Sequence, residues 1–269
     1  MLENVDLTPS LTREEYAARK PNFERELFDL VRRSRAAGVP IVIVFEGMEG
    51  AGKGRAIYDL TEKVDPRVAT VYPIGPARAY ERERPWLWRF WMKLPGRGEI
   101  AILDESWYRR VLVERVERTA RKSEWRAAYD EIVQLEQALA DEGAILVKLF
   151  LYLDEKTQRR RIRRARRRGQ PGIGAWRRQN ERYDRWMKAV EEMLERTSTE
   201  LAPWTVVPSC CPRFTRAHVF ETVISDVRRA LDRMGVPFLA PPVAAAPPDT
   251  RTSTTSTEAP AGAARTVEH

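Results

Sequence analysis

Residues 41–54 run Ile-Val-Ile-Val-Phe-Glu-Gly-Met-Glu-Gly-Ala-Gly-Lys-Gly, and no other stretch restricts the fold so tightly. A short, unbroken, β-branched run is typical of a strand buried on both faces of a parallel sheet. The residues after it, from Gly47 to Gly52-Lys53, have the spacing of a phosphate-binding loop between a strand and a helix. Gly47, Gly50, Ala51, Gly52 and Gly54 are small enough for the backbone to wrap a phosphate chain with its N–H groups inward. A helix starting near Gly52 adds its positive N-terminus, and Lys53 adds a mobile charge for the outer phosphates. A flexible Gly-Lys turn would not need a buried strand before it and a helix after it.

The rest of the chain alternates in the same way. Helix is expected over 12–37, stopped by Gly38-Val39-Pro40, and again over 52–63, 86–92, 124–142, 179–196 and 219–234. Strands are expected over 41–45, 68–72, 100–103, 144–153 and 205–207. Alternating elements of this kind predict an α/β fold: three α/β/α layers around a parallel sheet. Residues 1–239 form the expected domain. Residues 240–269 are rich in Ala, Pro, Ser and Thr and are expected to be a disordered tail.

Composition narrows the chemistry. Two cysteines, adjacent at Cys210-Cys211, and two histidines argue against a disulfide scaffold and against Cys- or His-based metal sites. No apolar run is long enough to cross a membrane, and the opening residues lack the apolar core of a secretory signal, so a cytoplasmic protein is expected. The 269 residues hold 47 Lys+Arg against 39 Asp+Glu, a net +8. A polyanionic partner fits that balance, whether nucleic acid, an anionic membrane or a phosphate-rich small molecule.

Asp104 follows Ile100-Ala101-Ile102-Leu103. Four apolar residues and an acid place a carboxylate at the C-terminal edge of the sheet, where ligands bind in open α/β folds and where it can hold Mg²⁺. The usual hydroxyl after the loop lysine is replaced by Gly54, so metal must be held by other oxygens, and Glu49 within the loop is the nearby candidate.

The stretch Asp104-Glu105-Ser106-Trp107-Tyr108-Arg109-Arg110-Val111-Leu112-Val113-Glu114-Arg115-Val116 resembles the polyphosphate kinase 2 family, above all its polyphosphate:AMP phosphotransferase branch. The opening helix, Pro85-Trp86-Leu87-Trp88-Arg89-Phe90-Trp91 and Ala202-Pro203-Trp204-Thr205-Val206-Val207 extend the likeness over roughly residues 6–233. The resemblance implies a P-loop kinase-like fold with a helical lid, here at about 158–182, and phosphoryl transfer between inorganic polyphosphate and a nucleoside mono- or diphosphate, AMP or ADP foremost. It implies Mg²⁺ or Mn²⁺ as cofactor and a homo-oligomer. Carried onto this chain, Lys53 binds the transferring phosphate, Asp104 and Glu49 hold metal, and Arg110, Glu114 and Arg115 complete the second motif. Trp107 and Tyr108 pack or shape the site. The chain departs from the pattern at Glu105, where the family has Arg, at Glu49, where it has Asp, and in a lid lacking the usual acid and first basic residue.

The densest charge run, Arg159 to Arg168, follows the strand at 144–153, where kinases of this fold place a lid. Arg161, Arg163 and Arg164 are the candidates to neutralise phosphate there, although a helix cannot point all its arginines one way. Nucleic acid ranks below polyphosphate for this run, since no base-reading motif accompanies it. Trp86, Trp88 and Trp91 fit the core, a nucleotide platform or a subunit contact, with the core the default for tryptophan at helical spacing. Two other functions fit the motifs: an ATP-dependent nucleoside monophosphate kinase, against which Gly54 stands, and a polyphosphate- or nucleotide-binding module without turnover.

Overall fold

Thr12 opens the first helix, α1 (Arg13–Ala37), with a reciprocal cap: its hydroxyl accepts the Glu15 N–H and the Glu15 carboxylate accepts the Thr12 N–H. Gly38, at φ 67°, closes it. The computed structural model describes residues 2–238, so the tail expected over 240–269 lies outside the described residues.

Five strands follow in sequence: β1 (Ile41–Gly47), β2 (Ala69–Pro73), β3 (Ile100–Asp104), β4 (Ile145–Tyr152) and β5 (Trp204–Pro208). They form one parallel sheet in the order β2-β3-β1-β4-β5. The three strands that read as continuous apolar runs, β1, β3 and β4, are the inner three, as burial on both faces requires. Helices α2 (Lys53–Thr61), α6 (Lys122–Asp141), α9 (Tyr183–Thr197) and α10 (Pro212–Arg233) cover the sheet. α10 packs on α1, α2, β4 and β5, while α6 packs on α9 and β4. Tyr16 and Arg216 both donate to the buried Asp59 carboxylate at 2.8 Å, fixing α2 between α1 and α10.

Short helices fill the connections: α3 (Ala79–Arg82), α4 (Trp88–Trp91) and α5 (Val113–Val116), then α7 (Glu155–Arg167) and α8 (Ile173–Glu181), which lie where the lid was expected. Two expectations need correction. The helix predicted over 179–196 is two, α8 and α9, broken at Arg182. The tryptophan stretch yields a single helical turn, and it is not all core: Trp91 is 51% exposed and Met92 66%. One turn buries only two of its side chains, Arg89 and Phe90.

The apolar run of β4 contains a charge, Lys148, that is fully buried. Its Nζ donates to Glu136 at 2.7 Å, to Tyr108 Oη at 3.1 Å and to the Thr197 carbonyl at 2.6 Å. The Trp107 indole and the Tyr108 hydroxyl donate to the other Glu136 oxygen at 3.0 and 2.7 Å. Burial pushes Lys148 down and Glu136 up, and each charge opposes the shift of the other. Trp107 and Tyr108 are thereby fixed as packing residues under the second motif.

Candidate active site

β1 and β3 end side by side, with Phe45 paired to Asp104 and the Glu105 N–H donated to the Phe45 carbonyl at 3.0 Å. Three acids therefore emerge together at the C-terminal edge: Glu46 from β1, and Asp104 and Glu105 from β3. The loop after β1 is pressed against β4. A Cβ on Gly47, at φ 148°, would lie 2.5 Å from the Leu151 carbonyl, so only glycine fits. Met48 donates to that same carbonyl at 2.9 Å, and the Met48 and Ala51 side chains turn into the core.

Lys53 opens α2, and its Nζ donates to the Gly47 carbonyl at 3.3 Å. Burial alone would lower its pKa. Glu49, Glu105, Asp104 and, least of the four, Glu46 outweigh burial and raise it, so Lys53 stays charged. Burial raises the Asp104 carboxyl too; Lys53 resists the rise and Glu105 adds to it. Glu46 shifts most. It is 3% exposed, accepts the Ser106 hydroxyl at 2.8 Å, and is pushed up to about 8 by burial and then by Glu105. At neutral pH it holds a proton.

Glu105 adopts φ 60° and forms an ion pair with Arg109. It stands between two cavities and lines both. The larger, about 570 Å³, is lined by Gly47 and Glu49 of the loop, by Arg109, Arg110 and Glu114, and by Arg178 from α8. The other, about 540 Å³, holds Asp104. No group of three or more His, Cys, Asp and Glu side chains that could hold a metal occurs among the described residues. A magnesium ion does not need one, since it binds through one or two carboxylates together with phosphate oxygens and water. Asp104 and Glu49, the ligands expected from the sequence, line different cavities, one on each side of Glu105.

α7 and α8 close on the loop through its backbone. Gln179 Oε1 accepts the Glu49 N–H at 2.7 Å and the Gln158 amide at 2.6 Å, and Gln158 also donates to the Glu49 carbonyl at 3.0 Å. A Cβ on Gly50, at φ 78°, would meet the Trp176 ring at 3.1 Å. Arg161 donates to the Gly50 carbonyl at 2.6 Å and to the Ser209 and Cys210 carbonyls after β5.

Several candidates thus sit otherwise than the sequence suggested. Arg161 clasps backbone carbonyls and fastens α7 to the loop. Arg163 and Arg164 are exposed, because the inner side of α7 is taken by Thr157, Gln158, Ile162 and Ala165. Arg115 points away from both cavities, to Tyr129 Oη and Glu192, each at 2.7 Å, with its guanidinium over the Trp125 ring. Gly54 is exposed on the first turn of α2. Arg110 and Glu114 do line the larger cavity, 3.3 Å apart. Sequence reasoning missed Glu46, although an acid directly after an apolar run is the signal that marked Asp104. It also missed Gln158, Gln179 and Trp176, which carry no such signal.

The sequence profile of the polyphosphate kinase 2 family matches residues 10–234. The chain belongs to the polyphosphate kinase 2 family. It is 37% identical over 237 residues to the polyphosphate:AMP phosphotransferase of Pseudomonas syringae pv. tomato, covering 87% of this chain and 47% of that protein. It is 33% identical over 218 residues to ADP-polyphosphate phosphotransferase 3 of Rhizobium meliloti, covering 79% of this chain and 76% of that one. A crystal structure titled as a polyphosphate kinase 2 of Pseudomonas aeruginosa PA01 superposes with a TM-score of 0.82 at 37% identity, over 87% of this chain and 52% of that chain. The P-loop kinase-like α/β fold of the family is the fold found here. The chain spans about half the length of the polyphosphate:AMP phosphotransferase it matches.

Proposed function

We propose that this chain transfers a phosphoryl group between inorganic polyphosphate and a nucleoside mono- or diphosphate, AMP or ADP foremost. The observation that carries this reading is the placement of Lys53. It lies at the mouth of a phosphate-binding loop, within the field of Asp104 and Glu49, at an edge flanked by two cavities that meet at Glu105. Names of relatives that act on polyphosphate together with AMP or ADP support it.

Phosphoryl transfer asks little covalent work of a protein; alignment and charge neutralisation do most of it. Lys53 neutralises oxygens of the phosphoryl group held by the loop. Arg109, Arg110 and Arg178 meet phosphate in the larger cavity, and the lid excludes water above the loop. Asp104 and Glu49 would hold Mg²⁺, which when bound supplies further charge neutralisation on the phosphate oxygens. Glu105 holds Arg109 in place through their ion pair.

The test is a panel of AMP, ADP, GDP and GMP with polyphosphate or ATP as donor, in Mg²⁺ or Mn²⁺. Polyphosphate is expected to support nucleotide phosphorylation, and Lys53→Ala or Asp104→Ala to lower kcat by roughly a thousandfold, the scale of one lost electrostatic contact to the transition state. Full activity in the Lys53 variant would overturn the assignment.

A further inference from the structure

The cavity on the Asp104 side of Glu105 has cations that neither sequence motif accounts for. Arg78, Arg89 and Lys93, all from the segment between β2 and β3, line it opposite Asp104. Arg89 is 8% exposed. Its Nη2 donates to the Gly75 carbonyl at 2.9 Å, while its Nε is 3.5 Å from Glu81 and forms no hydrogen bond. Lys93 Nζ donates to the Arg89 carbonyl at 2.6 Å and lies 4.0 Å from Glu81. Glu81 is thus the one carboxylate with which Arg89 and Lys93 pair among the described residues, and its Oε2 already accepts the Arg78 backbone N–H at 2.8 Å. Glu105, at the far end, is taken by Arg109. Burial holds Arg89 and Lys93 below their ordinary pKa values, and each has another arginine nearby that adds to the lowering. Positive charge withdrawn from water without matching negative charge is costly, and a phosphoryl group would complete it.

We propose that Arg78, Arg89 and Lys93 form a second phosphoryl-binding site, which presents a phosphate to Asp104 from the side of Glu105 away from the Gly47–Glu49 cavity. Transfer needs two phosphoryl groups brought together, and the loop cradles one of them. The chemistry of the site rests on the function proposed above; its binding of phosphate does not. The ligand is the end of a phosphate chain or the phosphate of a nucleotide. Both present the same oxygens.

Calorimetry on the full chain with Mg²⁺, titrating tripolyphosphate and AMP separately, tests the site. Lys93→Gln and Arg78→Gln are the variants, because Arg78 is exposed and Lys93 partly so, and thermal melting checks that both stay folded. Each is expected to weaken one ligand by about tenfold, the scale of one charge-assisted hydrogen bond, and Arg67→Gln, exposed at the other end of β2, to weaken neither. Weaker tripolyphosphate with unchanged AMP assigns the site to the chain; the reverse assigns it to the nucleotide. Unchanged affinity for both ligands in both variants overturns the site, whether or not the enzyme turns over. Wild-type binding that Lys93→Gln weakens, without any phosphoryl transfer, keeps the site and overturns the proposed reaction. A wild-type chain that binds neither ligand overturns both.

Discussion

Replacing Glu46 with glutamine removes one titratable proton from the site and little else. The glutamine Oε1 can still accept the Ser106 hydroxyl that donates to Glu46 at 2.8 Å. In the folded protein the Glu46 carboxyl is pushed up to about 8, by burial first and by Glu105 second, while Ser106, Lys53 and Arg109 pull the other way; its ordinary value is 4.5. Between those two pH values the folded chain keeps a proton that the unfolded chain has released. Stability from this group is therefore complete below pH 4.5 and falls as pH rises, by about 1.4 kcal/mol per pH unit, levelling off above about 8. From pH 5 to pH 8 the wild type should lose roughly 4 kcal/mol relative to Glu46→Gln, whose amide does not titrate. For a domain of this size that is on the order of 8–16 °C in Tm. Urea unfolding of both proteins at pH 5.5, 7 and 8.5, with m-values compared, measures it. A stability difference that stays constant across that range would refute the reasoning, since Glu46 would then titrate as an ordinary, solvated carboxyl.

Other perturbations read the scaffold. Lys148→Met strands Glu136 in the core and should cost about 3–5 kcal/mol, with Lys148→Met/Glu136→Met recovering part of it; a single variant within 0.5 kcal/mol of wild type would contradict the buried pair. Gly47→Ala drives a Cβ to 2.5 Å from the Leu151 carbonyl and should destabilise by about 3 kcal/mol, at the upper end for overpacking. Gly54→Ala meets nothing within 4 Å and should leave stability equal or slightly higher in the same urea melts. Equal losses for the two glycines would show that the loop does not lie against β4 as described.

Much of the site was legible because it is local. The strand before Gly47, the spacing to Lys53 and the acid ending β3 are patterns within a few residues, and the structure keeps all three. Helix phase was harder. Arg161, Arg163 and Arg164 lie within one turn of α7, yet Arg161 reaches the loop carbonyl at Gly50 and the other two face solvent. Arg110 lies in the turn before α5 and Arg115 on α5, and they face different ways: Arg110 the cavity, Arg115 the Trp125–Tyr129 cluster. Trp91 and Met92 keep helical spacing in a segment that makes one turn, so periodicity overstated their burial. Gln158 and Gln179 act through hydrogen bonds to a backbone more than a hundred residues away in sequence, and neutral amides leave no mark in charge or motif.

What the sequence determined by itself was the parallel α/β architecture and the glycine-rich strand–loop–helix ending at Lys53, because burial pattern and glycine spacing act on the chain where they occur. It also put Asp104 at the sheet edge. Which charge meets which was decided by tertiary packing. Ser106 reaches Glu46 across sixty residues, and four acidic side chains act on Lys53 only because β1 and β3 lie in register. Arg89 and Lys93 become a cationic wall only when the segment between β2 and β3 folds back over Asp104. An ionisable group's behaviour depends on its neighbours and on its distance from water, and in this protein both are set by contacts between distant parts of the chain.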